Sequence, residues 1–160
     1  FLDEPTAGID PVARRDLWNL LFRLSEDGTT IFVTTHYMDE AERCSHVAYI
    51  YLSRLLVLGT PGSLKSLPEV TPDGERWKEL TCPRPTRVLS RLQASPGVLD
   101  ATIFGESLHL RVREGWGERD VAPVMRDAHE PNWQLRDVSP GLEDVFVTLT
   151  KRAAEEHSHV

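Results

Sequence analysis

A length of 160 residues leaves room for one domain or for two small ones. The apolar content of 40% and the charged content of 27% are typical of globular proteins, and the net charge of −7 without a long basic run argues against a dedicated nucleic-acid surface. No apolar stretch approaches the roughly 18–20 residues of a transmembrane helix, and the two cysteines are too few and too far apart for a disulfide framework or a metal site.

The first residues predict the end of a buried strand that is followed by an acidic loop. Phe1 and Leu2 are apolar, and the proline and glycine of the loop that follows prevent the strand from continuing. Asp3 and Glu4 are therefore expected at the carboxyl end of a strand, where open α/β sheets place their ligand crevice. Two adjacent carboxylates repel each other, which suits a site shared by a cation and a reacting water.

The complete run, Phe-Leu-Asp-Glu-Pro followed by Ala-Gly-Ile-Asp, resembles the Walker B and D-loop segment of ATP-binding-cassette (ABC) ATPases. The resemblance implies that Asp3 holds Mg²⁺, through water, and that Glu4 orients and polarises the attacking water. It also implies that Asp10 communicates across a nucleotide-sandwich dimer. These residue types fit phosphoryl transfer, which needs a metal clamp and a group that positions the nucleophile.

A helix is predicted over residues 12–26, with Asp10 as its N-terminal cap and Asp27-Gly28 as its stop. Leucines recur in it at the spacing of an amphipathic stripe and are expected in the core; they are Leu17, Leu20, Leu21 and Leu24. Arg14 and Arg15 are expected to be solvated.

Residues 29–36 are rich in β-branched side chains and predict a strand that is buried on both faces. Strand, helix and strand make a βαβ unit with a right-handed crossover, so both strands end at the same edge of a parallel sheet. Whether the strands are adjacent or have one strand between them, Asp3, Glu4 and His36 are expected to reach one γ-phosphate.

A histidine at a strand end is often only a structural hydrogen-bonding group. The run over residues 34–44, however, resembles the H-loop of ABC ATPases, most closely that of ABC-2 type exporters. The resemblance implies that His36 contacts the γ-phosphate and links it to the water and to Glu4. It implies that residues 1–67 are the carboxyl-terminal part of a P-loop ABC nucleotide-binding domain of the α/β class.

A β-hairpin is predicted over residues 46–58, and its connection lacks glycine, which disfavours a two-residue primed turn. A short helix is expected from Thr60 to Leu64. Several prolines and a glycine then indicate a linker and domain boundary at residues 68–74.

The pattern over residues 75–152 predicts a small α+β domain with the element order β-α-β-β-α-β-α, which suggests a ferredoxin-like arrangement. One face of its sheet, with His109, is expected to be wet. Residues 142–150 look like the segment that ends many ABC-2 exporter ATPases. Glu143 and Asp144 are interpreted as a solvated face, with contact to a partner as the alternative, and residues 153–160 as a frayed tail.

The chain contains no Gly-x-x-x-x-Gly-Lys-Ser/Thr phosphate loop, no glutamine loop and no Leu-Ser-Gly-Gly-Gln signature. In ABC ATPases all three precede the Walker B segment, and the chain starts at Phe1 without an initiator methionine. We therefore interpret the chain as the carboxyl-terminal portion of the ATP-hydrolysing subunit of an ABC exporter. Residues 1–160 by themselves are predicted not to bind or hydrolyse ATP measurably, and micromolar Mg-ATP binding in calorimetry would contradict this.

For the complete protein, the resemblance implies ATP and Mg²⁺ as ligands and a head-to-tail dimer with a second nucleotide-binding domain. It implies a membrane permease as partner, a place on the cytoplasmic face of the membrane through that permease, and no nucleic acid. Two alternatives remain. The chain could be a non-enzymatic interaction or regulatory module, or it could belong to the ABC-type ATPases of chromosome maintenance and DNA repair.

Overall fold

The computed structural model describes residues 1–158. Its strands are β1 (Leu2–Asp3), β2 (Val33–Thr34), β3 (Val47–Tyr51), β4 (Arg54–Gly59), β5 (Glu75–Thr81), β6 (Val98–Phe104), β7 (Ser107–Arg113) and β8 (Gln134–Asp137). Its helices are α1 (Pro11–Glu26), α2 (Met38–Ala41), α3 (Pro61–Lys65), α4 (Pro85–Gln93), α5 (Glu118–Asp127) and α6 (Leu142–Ser158). The elements form two units, one before and one after the connection at residues 66–74.

The first unit begins with a parallel βαβ arrangement in which α1 connects β1 to β2. The two strands are adjacent, with Leu2 opposite Val33 and Asp3 opposite Thr34. The second strand is shorter than the stretch 29–36 that the sequence predicts, because β1 pairs only with Val33 and Thr34. Both strands nevertheless end at the same edge, so the residues that follow them are neighbours in space.

Helix α1 begins as predicted, because the Asp10 carboxylate accepts hydrogen bonds from the backbone N–H groups of Val12 and Ala13 at 2.9 and 3.1 Å. The predicted leucine stripe is wrong in part. Trp18 and Leu21 are buried, whereas Leu20 and Leu24 are exposed. The spacing of apolar residues identifies an apolar face but not the part of it that is covered, and Leu20 and Leu24 remain 43% and 39% exposed among residues 1–158.

Strands β3 and β4 form the predicted hairpin, with Tyr51 opposite Arg54. The expectation for its turn is wrong. Leu52 and Ser53 have φ angles of 47° and 58°, so the connection is a two-residue turn with the left-handed backbone of the primed type. This turn matches the twist of the strands, and Leu52 is exposed, so the cost lies in the backbone conformation rather than in packing.

The connection between the units is packed against them. Val70 is completely buried, and the Trp77 indole N–H donates a hydrogen bond of 3.1 Å to the backbone oxygen of Val70. The short helix α3, which was predicted, precedes this connection and is capped by the Thr60 hydroxyl.

The second unit contains a four-stranded sheet in the order β6-β7-β5-β8, in which all neighbouring strands are antiparallel. Helices α4 and α5 cover one face of this sheet. The core between the helices and the sheet includes Leu80, Val88, Leu92, Ala101, Leu108, Leu110, Val112, Val121 and Met125.

Helix α6 covers the other face, which corrects the prediction that this face is wet. His109 projects from β7 on this side, and its side chain is only 11% exposed because it pairs with Asp144 of α6 at 2.9 Å. Asp144 is therefore buried, and only Glu143 of the predicted solvated pair is exposed. Lys151 of α6 also pairs with Asp100 on β6 at 2.7 Å.

The same helix joins the two units. The Tyr49 hydroxyl of β3 donates a hydrogen bond of 2.8 Å to the backbone oxygen of Leu142, and its ring lies 5.3 Å from that of Phe146. Helix α6 continues to Ser158, so residues 153–158 are helical rather than a frayed tail, and the last two residues lie outside the described part. Within residues 1–158, every helix is too short or too polar to cross a lipid bilayer.

Candidate functional site

The predicted site lies where β1 and β2 end. The backbone N–H of Glu4 donates to the backbone oxygen of Thr34 at 3.1 Å and to its hydroxyl at 3.0 Å. That hydroxyl in turn donates to the Asp3 carboxylate. Thr34 therefore fixes both acidic residues relative to the second strand, which is a role that the sequence interpretation did not assign to it.

Glu4 and His36 are brought together. The Nδ1 atom of His36 lies 3.2 Å from Oε1 of Glu4, and both side chains are about half exposed, at 57% and 50%. Glu4 has a φ angle of 41°, in the left-handed region, at the point where the chain turns out of the strand. Strained backbone of this kind costs on the order of 1–3 kcal/mol and is concentrated at functional sites. The pair is open to solvent and therefore accessible to a ligand.

Asp3 ends β1 beside this pair, and its carboxylate is exposed. Among residues 1–158, no three histidine, cysteine or acidic side chains come together as a set that could hold a metal ion. One carboxylate is unsuited to a structural zinc site, which needs about four protein ligands. It does suit Mg²⁺, which keeps several waters and is bound through one or two carboxylates together with substrate phosphates.

Asp10 is the remaining residue of the predicted site. Its carboxylate is occupied with the cap of α1, as described above, and the residue is exposed. The structure does not bring Asp10 into contact with the Glu4–His36 pair. Its predicted role concerns a second molecule and stays a prediction.

The sequence interpretation missed a buried carboxylate next to the site. Glu40 of α2 is completely buried, and each of its carboxylate oxygens accepts a hydrogen bond of 2.6 Å. The donor to Oε1 is Nε of Arg14 on α1, and the donor to Oε2 is the hydroxyl of Thr35, which precedes His36. Arg14 was expected to be solvated, and this expectation is wrong.

The environment of Glu40 keeps it ionised. Burial raises the pKa of its carboxyl, but the hydrogen bonds from Thr35 and Arg14, together with the nearby polar groups of Thr6 and Trp18, outweigh burial and lower the pKa below its ordinary value. A buried carboxylate is stable only when it is paired and hydrogen-bonded. No local pattern indicates this arrangement, because Arg14 lies on α1, 26 residues from Glu40, and meets it only in the folded chain.

Arg14 also links Glu40 to His36, through Tyr37. Its Nη2 atom pairs with Asp39 at 2.9 Å, and its guanidinium carbon lies 4.4 Å from the centre of the Tyr37 ring. The Tyr37 ring lies 4.1 Å from that of His36.

Comparisons with curated proteins identify relatives along almost the whole chain. The chain is 45% identical over 167 residues to the daunorubicin/doxorubicin resistance ATP-binding protein DrrA of Streptomyces peucetius, an alignment that covers 99% of this chain and 48% of the relative. It is 33% identical over 163 residues to the Nod factor export ATP-binding protein I of Neorhizobium galegae, with 98% of this chain and 42% of the relative covered.

A shorter match has a higher identity. Over 66 residues, or 41% of this chain, the identity is 48% to YbhF of Escherichia coli K12, described as a probable multidrug ABC transporter ATP-binding protein, of which 11% is covered. The chain spans less than half the length of each of these three relatives. No family model matches the chain.

Proposed function

Because this chain belongs to the family of ABC transporter ATP-binding proteins, we propose that its first unit carries catalytic side chains of an ATPase that drives export. The observation that carries the proposal is the 3.2 Å approach of Glu4 and His36 beside Asp3 at the ends of two parallel strands. This edge of an α/β sheet is where such folds bind their ligands.

The side chains have distinct roles in the proposed reaction. Glu4 accepts a hydrogen bond from the attacking water and orients it toward the γ-phosphate, and His36 donates a hydrogen bond to a γ-phosphate oxygen. Asp3 would hold Mg²⁺ through water, and the bound ion would supply positive charge that stabilises the charge developing on the phosphate. Thr34 positions both acidic residues through its hydroxyl.

The proposed partners are supported by the relatives, which are ATP-binding proteins of drug resistance and of Nod factor export. We propose that the whole protein acts on ATP in a head-to-tail dimer of nucleotide-binding domains, in which Asp10 communicates between the two copies. A separate membrane permease provides the transport path and holds the ATPase at the cytoplasmic face of the membrane. Because residues 1–160 contain no phosphate loop or signature motif, this stretch by itself is proposed to be inactive.

The architecture supports a matching division of the chain. Residues 1–67 fit the carboxyl-terminal part of a P-loop ABC domain, since β1, α1 and β2 form a parallel βαβ unit. Residues 75–152 fit a ferredoxin-like domain, because β-α-β-β-α-β elements build an antiparallel sheet in which the second and third strands of the unit are adjacent and the fourth pairs with the first.

The proposal is tested in the complete protein, reconstituted with its permease. Glu4→Gln is expected to leave ATP binding intact and to lower the hydrolysis rate by about 10²-fold or more, because the amide cannot polarise the water as a carboxylate does. ATP binding and phosphate release are measured separately. Glu42→Gln is the matched control, since Glu42 has the same chemistry but pairs with Lys65 at 2.6 Å. Wild-type hydrolysis by the Glu4→Gln variant would refute the catalytic assignment.

The second unit favours an additional role in interaction or regulation. It has its own core and contains none of the proposed site residues, and α6 attaches it to the first unit through Tyr49. Deletion of residues 75–160 from the complete protein distinguishes the two roles. Lost assembly at an unchanged ATPase rate favours interaction, whereas a changed rate in an intact assembly favours regulation.

A further inference from the structure

Glu40 has no place in the proposed reaction, although it is the most deeply buried charge next to the site. Its side chain is inaccessible to solvent, so it cannot touch ATP or the attacking water. It nevertheless draws hydrogen bonds from α1 and from the segment after β2, each at 2.6 Å. Retaining an ionised carboxylate there costs desolvation, which a purely apolar contact would avoid.

The first connection from Glu40 to His36 passes through Thr35. The Thr35 hydroxyl donates to Glu40 and at the same time accepts a hydrogen bond of 3.1 Å from the backbone N–H of Tyr37. The backbone is thus held on both sides of His36 by one hydroxyl group. Glu40 fixes the direction in which the Thr35 O–H group points. It therefore also fixes the direction of the oxygen lone pair that accepts the hydrogen bond from the Tyr37 N–H.

The second connection passes through Arg14. Glu40 and Asp39 hold the guanidinium from two sides, and the guanidinium lies over the ring of Tyr37. Tyr37 in turn contacts the imidazole of His36. The imidazole is itself more than half exposed, so few other contacts restrict its orientation.

We propose that Glu40 is a positioning residue for His36, which it holds toward Glu4 and the γ-phosphate by way of Thr35 and of Arg14 with Tyr37. This inference rests on the proposed function and adds to it. The role is distinct from that of Glu4, because Glu40 acts only through the histidine.

The expected signature is a loss of turnover without a loss of ATP binding. In the complete protein, Glu40→Gln is expected to lower kcat by about tenfold to a hundredfold, the order of magnitude for a reacting group displaced by about 1 Å. The KM for ATP is expected to change by less than about twofold, because Glu40 does not contact the nucleotide. Glu42→Gln, two residues further along the chain, is expected to leave both constants unchanged.

The decisive measurement is a double-mutant cycle with His36→Ala. Single-turnover hydrolysis is measured for the wild type, Glu40→Gln, His36→Ala and the double variant. If Glu40 acts through His36, adding Glu40→Gln to His36→Ala changes the rate by less than about twofold. If the fold-reduction in the double variant equals the product of the two single fold-reductions, the proposal is overturned. A merely structural carboxylate would lower the hydrolysis rate by the same factor with or without the histidine.

Thr35 supplies a second test that does not depend on burying an amide at position 40. Thr35→Val removes the hydroxyl at nearly constant volume and is expected to lower kcat at unchanged KM, whereas Thr35→Ser is expected to restore kcat to within about threefold of the wild type. Equal losses in both Thr35 variants, or no loss in Thr35→Val, would overturn the inference. Failure of the proposed function looks different, because Glu4→Gln would then hydrolyse ATP like the wild type.

Discussion

The buried pair of His109 and Asp144 predicts how stability changes with pH. Hydrogen bonding to Asp144 raises the pKa of His109, and this effect outweighs burial, which lowers it; Glu79 on β5 and Glu143 on α6 contribute in the same direction as Asp144. A raised pKa means that the folded chain binds the proton more tightly than the unfolded chain. The stabilisation is therefore complete below the ordinary histidine pKa of about 6.5 and is lost as the pH rises through the higher pKa of the folded state.

The perturbation is Asp144→Asn. The amide oxygen can still accept the 2.8 Å hydrogen bond from the backbone N–H of Gly141, so the local cap is kept and only the charge is lost. A hydrogen bond to a charged group contributes about 1.5–3 kcal/mol and a neutral one about 1 kcal/mol. We therefore expect Asp144→Asn to lower the free energy of unfolding by about 2 kcal/mol near pH 6 and by about 1 kcal/mol at pH 9.

The assay is urea unfolding between pH 5.5 and 9, followed by the fluorescence of the tryptophans in the second unit. The free energy of unfolding of the wild type should fall more steeply with pH across this window than that of Asp144→Asn. Glu143→Gln is the control, because it removes a charge from the adjacent exposed position and should change stability by less than about 0.5 kcal/mol. Parallel pH profiles for the wild type and Asp144→Asn would refute the reasoning.

Two further predictions concern the first unit. The lowered pKa of Glu40 stabilises the fold above the ordinary carboxyl value of about 4.3, and this stabilisation is lost as the pH falls through the lower pKa of the folded state. Acid unfolding followed by circular dichroism should thus be less steep for Glu40→Gln, and an unchanged acid profile would contradict this. In the β3–β4 turn, replacing Leu52 by Asn and Ser53 by Gly supplies the residues that a primed turn prefers and should stabilise the chain by about 1 kcal/mol in urea unfolding. Destabilisation would show that the exposed Leu52 side chain makes a contact that matters.

The sequence predicted family membership, which the relatives confirm. The family could be predicted because the motifs at residues 1–11 and 34–44 are contiguous in the sequence. The spacing of residues within such a motif does not depend on how the rest of the chain folds. The same locality made the cap of α1, the helix after Thr60 and the alternating strands of the second unit predictable. The meeting of Glu4 and His36 followed from one topological rule, that parallel strands joined by a crossover end at the same edge.

Predictions about burial were less successful. Leu20 and Leu24 belong to an apolar stripe but are exposed, while Arg14 and Asp144 look like surface charges but pair with buried groups. The sequence shows which charged residues are able to lie in solvent. The positions of the neighbouring helices and strands decide which of these residues are in fact exposed. The sheet face with His109 illustrates this, because its polar side chains fit solvent and α6 equally well until the helix is placed.

The sequence by itself therefore determined which residues are proposed as the reacting groups, since the proposal of Asp3, Glu4 and His36 follows from local motifs and the rule for parallel strands. Only the tertiary structure decided what holds them in place. The hydrogen bond between Glu4 and Thr34 joins residues 30 positions apart, and that between Arg14 and Glu40 joins residues 26 positions apart. Hydrogen bonds of 3.0 and 2.6 Å between such distant residues require a placement that no periodicity encodes. The types of the residues determine which reaction a site can perform, whereas the packing of the folded chain determines how their side chains are oriented.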